Sequence, residues 1–251
     1  MKNLKLHHQS GNPRIIFTSC IMVLAVFTAT AQNYFDFTFG NPSTQYERFN
    51  SGTYFGGDLV GAGYATNPSG SYIVRVDVST GNYLWQSRLG DGTETNSIQN
   101  TSDGNMILGG TKLNGSNSSK MALIKINGNG GWLWTKTFSS TFQCQAEKAI
   151  QTSDGGYAIF GIREWDLMNQ FASGKLYLIK TNSSGDSTWA KNYGVPSGWQ
   201  RGHDVIELSG GGYMLAGESY NSVSGVGGSI IIRTDANGNT LWTSTIGTAY
   251  D

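Results

Sequence analysis

Charge is scarce in this sequence: only 14% of its 251 residues are Asp, Glu, Lys or Arg, and the two signs balance at 17 each. Gripping a nucleic-acid backbone requires clustered Lys and Arg, and the chain has no such cluster, so no nucleic-acid partner is expected. Histidine and cysteine are rarer still. His7, His8 and Cys20 fall within the first 31 residues, which leaves His203 and Cys144 as single copies in the remainder. One thiol forms no internal disulfide, and one histidine builds no His-rich metal site. A Ser-His-Asp triad would have to use His203. No metal and no other cofactor is expected. Against these shortages stand 35 glycines, a poor composition for helices and a suitable one for many short strands joined by tight turns.

One long, mainly apolar run is present, residues 15–27. Lys2, Lys5 and Arg14 precede it and Ala29-Thr30-Ala31 follows it, which reads as a secretory signal peptide over residues 1–31. The alternative is a retained anchor. Cys20 lies inside the run rather than closing it, so no lipid-acceptor site is expected. Cleavage leaves 220 residues, 32–251, with 17 acids and 14 bases and a net charge of −3. The expectation is a secreted or cell-surface protein with no membrane span after cleavage, held together by packing rather than disulfides.

The remainder repeats itself. Trp85, Trp134, Trp189 and Trp242 are spaced by 49, 55 and 53 residues, and each has a glycine four residues earlier: Gly81, Gly130, Gly185 and Gly238. A second anchor aligns without gaps: GGDLVGAG at 56–63, DGNMILGG at 103–110, DGGYAIFG at 154–161 and GGGYMLAG at 210–217. The units run over about 35–90, 91–140, 141–194 and 195–247, with 248–251 opening a fifth. Each holds four strand candidates. The first is short and partly polar, as in Ser97-Ile98-Gln99, Ala149-Ile150-Gln151 and Val205-Ile206-Glu207. The second follows a Gly-rich turn. The third is apolar on both faces and ends in a base, as in MALIKIN and SIIIRTD. The fourth begins at the tryptophan and carries Leu89, Phe138, Tyr193 or Ile246 four residues on, on the same face. Four short antiparallel strands per fifty-residue unit predict an all-β fold, a β-propeller of four four-stranded blades, rather than a β-solenoid.

The phrases QTSDGGYAIFG, IKTNSSGDSTWAKNYG and RTDANGNTLWTSTIG resemble the tandem repeats of secreted bacterial β-propeller proteins, in which K-T-D, N-G, L-W and S-D-G-G-Y recur. The resemblance covers almost all of residues 32–251. It implies an exported or surface-attached propeller, often part of a longer multi-domain protein with a C-terminal sorting segment and mostly without assigned catalytic activity. FDFTFG at 35–40 matches a fourth strand, with Phe35 in the tryptophan position, so the chain holds five fourth strands and four of each other kind. The expectation is an incomplete part of a larger ring.

The four tryptophans and their glycines read as structural repeat positions, since one packing problem solved four times produces periodic residues. Sugar-stacking platforms are the rival reading. The turn residues read as hairpin chemistry. Asp235, Asn237 and Asn239 alternate as in a calcium loop but lack an acidic twelfth ligand, and a sialidase-type Asp box would place its Asp two rather than three residues before Gly238. Residues 77–85 resemble the signature of pyrroloquinoline-quinone dehydrogenase propellers in one blade only. Arg75, Lys125, Lys180 and Arg233 recur at the end of the third strand, where they either ring an anion or pair with neighbouring carboxylates.

Two stretches break the period: residues 163–174 and 196–204. Ligand contacts on repeat scaffolds gather on such interruptions, so Trp165, Trp199, Arg201 and His203 are the candidate ligand-binding residues. Ordinary loops anchored by Trp165 and Phe171 are the rival. No catalytic residue is assigned, although Glu164, Asp166, Asp204 and Glu207 supply carboxylates of the kind a glycosidase pairs. The expected function is a non-catalytic interaction or scaffold module that binds carbohydrate or protein through the loops of blades three and four. The alternative is the N-terminal fragment of a secreted propeller enzyme, a glycan-active hydrolase or lyase with its catalytic residues elsewhere. Mass spectrometry of the exported protein is expected to find Gln32 at its N terminus; residues 1–31 retained in a membrane fraction would establish the anchor instead.

Overall fold

The structure, a computed structural model, describes residues 46–66, 69–113, 119–138, 143–163, 174–194, 198–221 and 225–247. The signal-peptide segment, FDFTFG, most of the blade-three insertion with Trp165, and residues 248–251 lie outside the described residues. Blade one is β1 (Glu47–Phe55), β2 (Asp58–Thr66), β3 (Ser69–Val76) and β4 (Tyr83–Leu89). Blade two is β5 (Thr93–Asn100), β6 (Asn105–Leu113), β7 (Ser119–Asn127) and β8 (Trp132–Phe138). Blade three is β9 (Cys144–Gln151), β10 (Tyr157–Arg163), β11 (Lys175–Thr181) and β12 (Ser187–Tyr193). Blade four is β13 (Trp199–Glu207), β14 (Tyr213–Asn221), β15 (Val226–Thr234) and β16 (Thr240–Ile246).

Each blade is an antiparallel meander in sequence order, and among the described residues no strand is shared between blades. That topology excludes the solenoid. The first strands β1, β5, β9 and β13 lie against one another in succession and form the inner layer, while β4, β8, β12 and β16 form the outer rim. The fold is a β-propeller with four four-stranded blades among the described residues.

Three apolar layers hold the blades together. Val60, Ala62 and Ile73 of blade one meet Ile98, Met106, Leu108, Ile124 and Ile126 of blade two. Ile107, Met121 and Leu123 meet Ala146, Tyr157, Ile159 and Ile179 across the next interface. Phe160, Leu176, Leu178 and Tyr193 meet Val205, Tyr213, Leu215, Ile230 and Ile232 across the third. A blade is thus sandwiched on both faces, which is why the third strands carry apolar residues at successive positions.

Both repeated glycines answer to these contacts. The hairpin glycines have φ of 76° at Gly130, 79° at Gly185 and 76° at Gly238, as the turn requires. They are also seats: a Cβ would come within 2.5 Å of the Trp85 ring at Gly130, 2.9 Å of Trp134 at Gly185 and 2.7 Å of Trp189 at Gly238. Each tryptophan therefore lies on the hairpin of the following blade, and turn geometry alone does not account for the glycine. Trp134 and Trp189 meet Tyr157 and Tyr213 of that blade edge-on, at 5.8 and 5.9 Å between ring centroids. The glycine that ends the second anchor, Gly63, Gly110, Gly161 or Gly217, faces the backbone of the inner strand so closely that no Cβ fits.

Register corrects two details of the repeat alignment. Ile98 pairs with Leu108, Ala149 with Ile159 and Val205 with Leu215, so Ile98 corresponds to Ala149 and Val205 rather than to Ile150 and Ile206. Similar side chains one residue apart concealed the slip. The fourth strands also start before their tryptophans, Tyr83 and Trp132 opening β4 and β8. Trp85, Trp134 and Trp189 are packed against the next blade, whereas every residue of β16 is exposed, Trp242 to 46%. Denaturant unfolding should therefore separate equivalent residues: Trp134→Ala or Trp189→Ala is expected to cost about 3 kcal/mol, and Trp242→Ala no more than about 0.5 kcal/mol. Equal losses at all three positions would contradict this account of the interfaces.

Candidate functional site

Every inner strand breaks register at one residue: between Phe49 and Ser51, Thr95 and Ser97, Ala146 and Lys148, and Gly202 and Asp204. The bulged residues are Asn50, Asn96, Glu147 and His203, one per blade at equivalent positions. A bulge inserts an unpaired residue and redirects its side chain, here on the strands closest to the axis. The close-approach glycines described above sit opposite these bulges.

In blades one and two the bulged residue is a latch. Asn50 Nδ2 donates to the Thr95 carbonyl at 2.8 Å and to Asn96 Oδ1 at 3.2 Å. Asn96 Nδ2 donates to the Ala146 carbonyl at 2.7 Å. Each amide thus fastens its blade to the backbone just before the next bulge. Blade three abandons the scheme, since a carboxylate at Glu147 has no proton to donate. Arg201 of blade four reaches back instead, its Nε and Nη2 donating to Glu147 Oε1 at 3.0 and 2.6 Å. Arg48 and Glu94, at the positions equivalent to Arg201, pair with each other across blades one and two.

Blades three and four consequently concentrate charge near the axis. His203 Nε2 lies 3.3 Å from Glu218 Oε1, both side chains about half exposed, and Lys148 Nζ lies 3.6 Å from Asp204 Oδ1. Trp199 opens β13 at the end of the blade where the β2–β3-type loops and the blade-to-blade connections meet. The Gln200 N–H donates to the Gly174 carbonyl at 2.9 Å, and a Cβ on Gly174 would meet Trp199 and Ile162. The last residue of the blade-three insertion is therefore fastened to the first strand of blade four, which joins the two stretches that break the period. Beneath this rim the Gln200 side chain is fully buried with neither amide atom hydrogen-bonded among the described residues.

Of the four candidate contact residues, Trp199, Arg201 and His203 lie along one inner strand, and Trp165 is outside the described residues. Asn50, Asn96, Glu147 and Glu218 were not singled out from sequence. A polar run with irregular alternation was the one available signal of a bulge. Asp204 and Glu207 do not form a carboxylate pair: three residues apart on one strand they are about 10 Å from each other on opposite faces. Glu207 is taken up by the Ser153 N–H and hydroxyl, at 2.6 and 2.9 Å. Among the described residues no group of three or more His, Cys, Asp or Glu side chains is arranged to hold a metal.

The recurring bases do not ring an anion. Arg75 pairs with Asp58 at 2.6 Å, Lys125 with Asp103 at 2.6 Å and Lys180 with Asp154 at 2.8 Å. Arg233 donates to the backbone carbonyls of Thr234 and Gly211. A cavity of about 530 Å³ opens beside the Lys180–Asp154 pair at the hairpin end of blades three and four, but the side chains of Asp154, Lys180 and Glu207 that line it are bonded to one another or to the backbone. Asp235 accepts the N–H groups of Asn237 and Asn239 at 2.9 and 2.7 Å, so it caps its own turn rather than offering a calcium loop.

No family model and no curated protein matches the chain. Among solved structures, it is similar to an endo-arabinase from Bacteroides thetaiotaomicron, with 12% identity and a TM-score of 0.51 over 78% of each chain. It is also similar to a protein of unknown function from Bacteroides caccae, with 16% identity and a TM-score of 0.45 over 70% of this chain. The chain spans about half the length of the latter, 54%. At 12% identity the likeness to the endo-arabinase concerns the fold alone. Among the described residues no helix is long and apolar enough to cross a membrane.

Partial burial works to raise the Asp154 pKa, yet hydrogen bonds from Lys180, Thr152 and the Gly156 N–H outweigh it and bring the carboxyl down to about 2 from its ordinary 3.8. A depressed carboxylate stabilises the fold above its unfolded value, and that contribution disappears as pH falls through the folded one. Denaturant midpoints measured between pH 4 and pH 2 are thus expected to fall more steeply for the parent chain than for Asp154→Asn. Parallel profiles would show that the pair contributes nothing to acid stability.

Proposed function

We propose that this chain is a non-catalytic binding module of an exported propeller, and that it takes a carbohydrate at the axial rim of blades three and four. The observation that carries the reading is the change of inner-strand chemistry at that place. Two blades use the bulge as an Asn-to-carbonyl latch, and the next two replace it with Glu147, Arg201 and His203. Sites where a scaffold departs from its own repeating rule are where function is expected. The replacements supply carboxylate acceptors and guanidinium and imidazole donors close together, and Trp199 adds an apolar face at the mouth. That combination suits a ligand rich in hydroxyl groups with apolar ring faces.

Export belongs to the same proposal and is supported by residues 1–31. A second reading, a glycan-active enzyme, is favoured by the carboxylates these two blades carry: Glu218 beside His203, Glu147 against Arg201 and Asp204 near Lys148. A protein ligand at the same rim is the third.

A glycan array with the purified protein, followed by turnover assays on the sugars that bind, separates these readings. Binding without turnover is expected, weakened about tenfold or more by Trp199→Ala or His203→Ala, which corresponds to roughly 1.4 kcal/mol each. Turnover abolished by Glu147→Gln or Glu218→Gln would replace the proposal with the enzyme. A blank array would remove carbohydrate from it.

A further inference from the structure

Blade four carries on its far side the same kind of face that closes the three interfaces before it. By register, Ile206, Met214, Ala216, Ile231, Trp242 and Ile246 stand where blade three has Ile150, Ala158, Phe160, Leu178, Trp189 and Tyr193. In blade three this set is buried against blade four, with Trp189 packed partly buried at its edge. In blade four Ile206 is 51%, Trp242 46% and Ile246 62% exposed. A contiguous apolar face of this kind marks an interaction surface. The opposite end of the row differs: on blade one Phe49, Ala65, Tyr72 and Val74 are buried.

We infer that the far face of blade four docks a further four-stranded unit of this same repeat, joined to it in the polypeptide. The chemistry of the occupant follows from the three filled interfaces. It brings a hairpin glycine in the left-handed region as the seat for Trp242, and a Tyr or Met at the position of Tyr157, Tyr213 and Met106 to meet the ring. Continuity decides between sources. Each equivalent face is filled by the unit that comes next along the chain after a connection of three to five residues. A second copy of this chain offers a poorer seat, because Gly81, Tyr72 and Val74 of its blade-one face are already buried, leaving Leu59, at the position of Tyr213, exposed. A repeat unit cannot bury both of its faces alone, which gives the docking its driving force.

Ile246→Cys provides a reporter on this face, since the described native thiol, Cys144, is buried. The reporter should react quickly with a thiol reagent in the parent chain. With a second copy of residues 195–247 inserted after Gly247 it should react several-fold more slowly. Protection should be lost when Gly238→Leu is made in the inserted copy alone. If that unit fails to dock, a copy of residues 141–194 is inserted in its place. Unchanged reactivity with both units would overturn the inference. A parent chain that is dimeric by light scattering, with the reporter already protected, would overturn it in favour of a second copy as the occupant.

Discussion

The whole architecture depends on a tryptophan ring lying on a glycine of the next blade. Two demands meet at that glycine, a positive φ for the hairpin and an absent Cβ beneath an indole, and no other residue satisfies both. Once the ring is seated, the edge-on tyrosine and the apolar residues of the second and third strands close around it at the interfaces of Trp134 and Trp189. Among the described residues packing at these interfaces acts without a disulfide, Cys144 being a free, buried thiol.

Rigid outer packing leaves the inner strand as the place where blades can differ. Its bulge has a fixed position, because a glycine of the second strand must face it, but the bulged side chain is free to vary. Asparagine at two blades turns that freedom into structure, fastening one blade to the backbone of the next. Glutamate and histidine at the other two give up the latch, and an arginine restores the link as an ion pair. A charged, partly exposed axial surface is the result, and it lies beside the loops that break the period.

How much of the site was legible follows from this division. Trp199, Arg201 and His203 stood out because they interrupt a repeat, and the structure aligns them on one inner strand beside Gly174. Glu147 and the Asn50 and Asn96 latches stayed hidden, since a bulge is a relation between two strands and leaves no fixed spacing in one. The same blindness moved Ile98 one place along the alignment. Arg75, Lys125 and Lys180 were readable as a recurring base, but their carboxylate partners, at the start of the preceding strand or in the turn that leads into it, emerged only with the pairing.

The sequence by itself determined the unit, its four strands and its hairpins, because alternation, turn chemistry and a period near fifty residues are local properties of the chain. Its composition also set the expectation that helices, an internal disulfide and a His-rich metal site are absent from residues 32–251. Only the tertiary structure decided which tryptophans are covered. Trp189 and Trp242 hold the same place in their repeats, each four residues after a hairpin glycine, yet one is packed beneath blade four and the other stands in solvent, since burial belongs to the surface opposite and not to the residue.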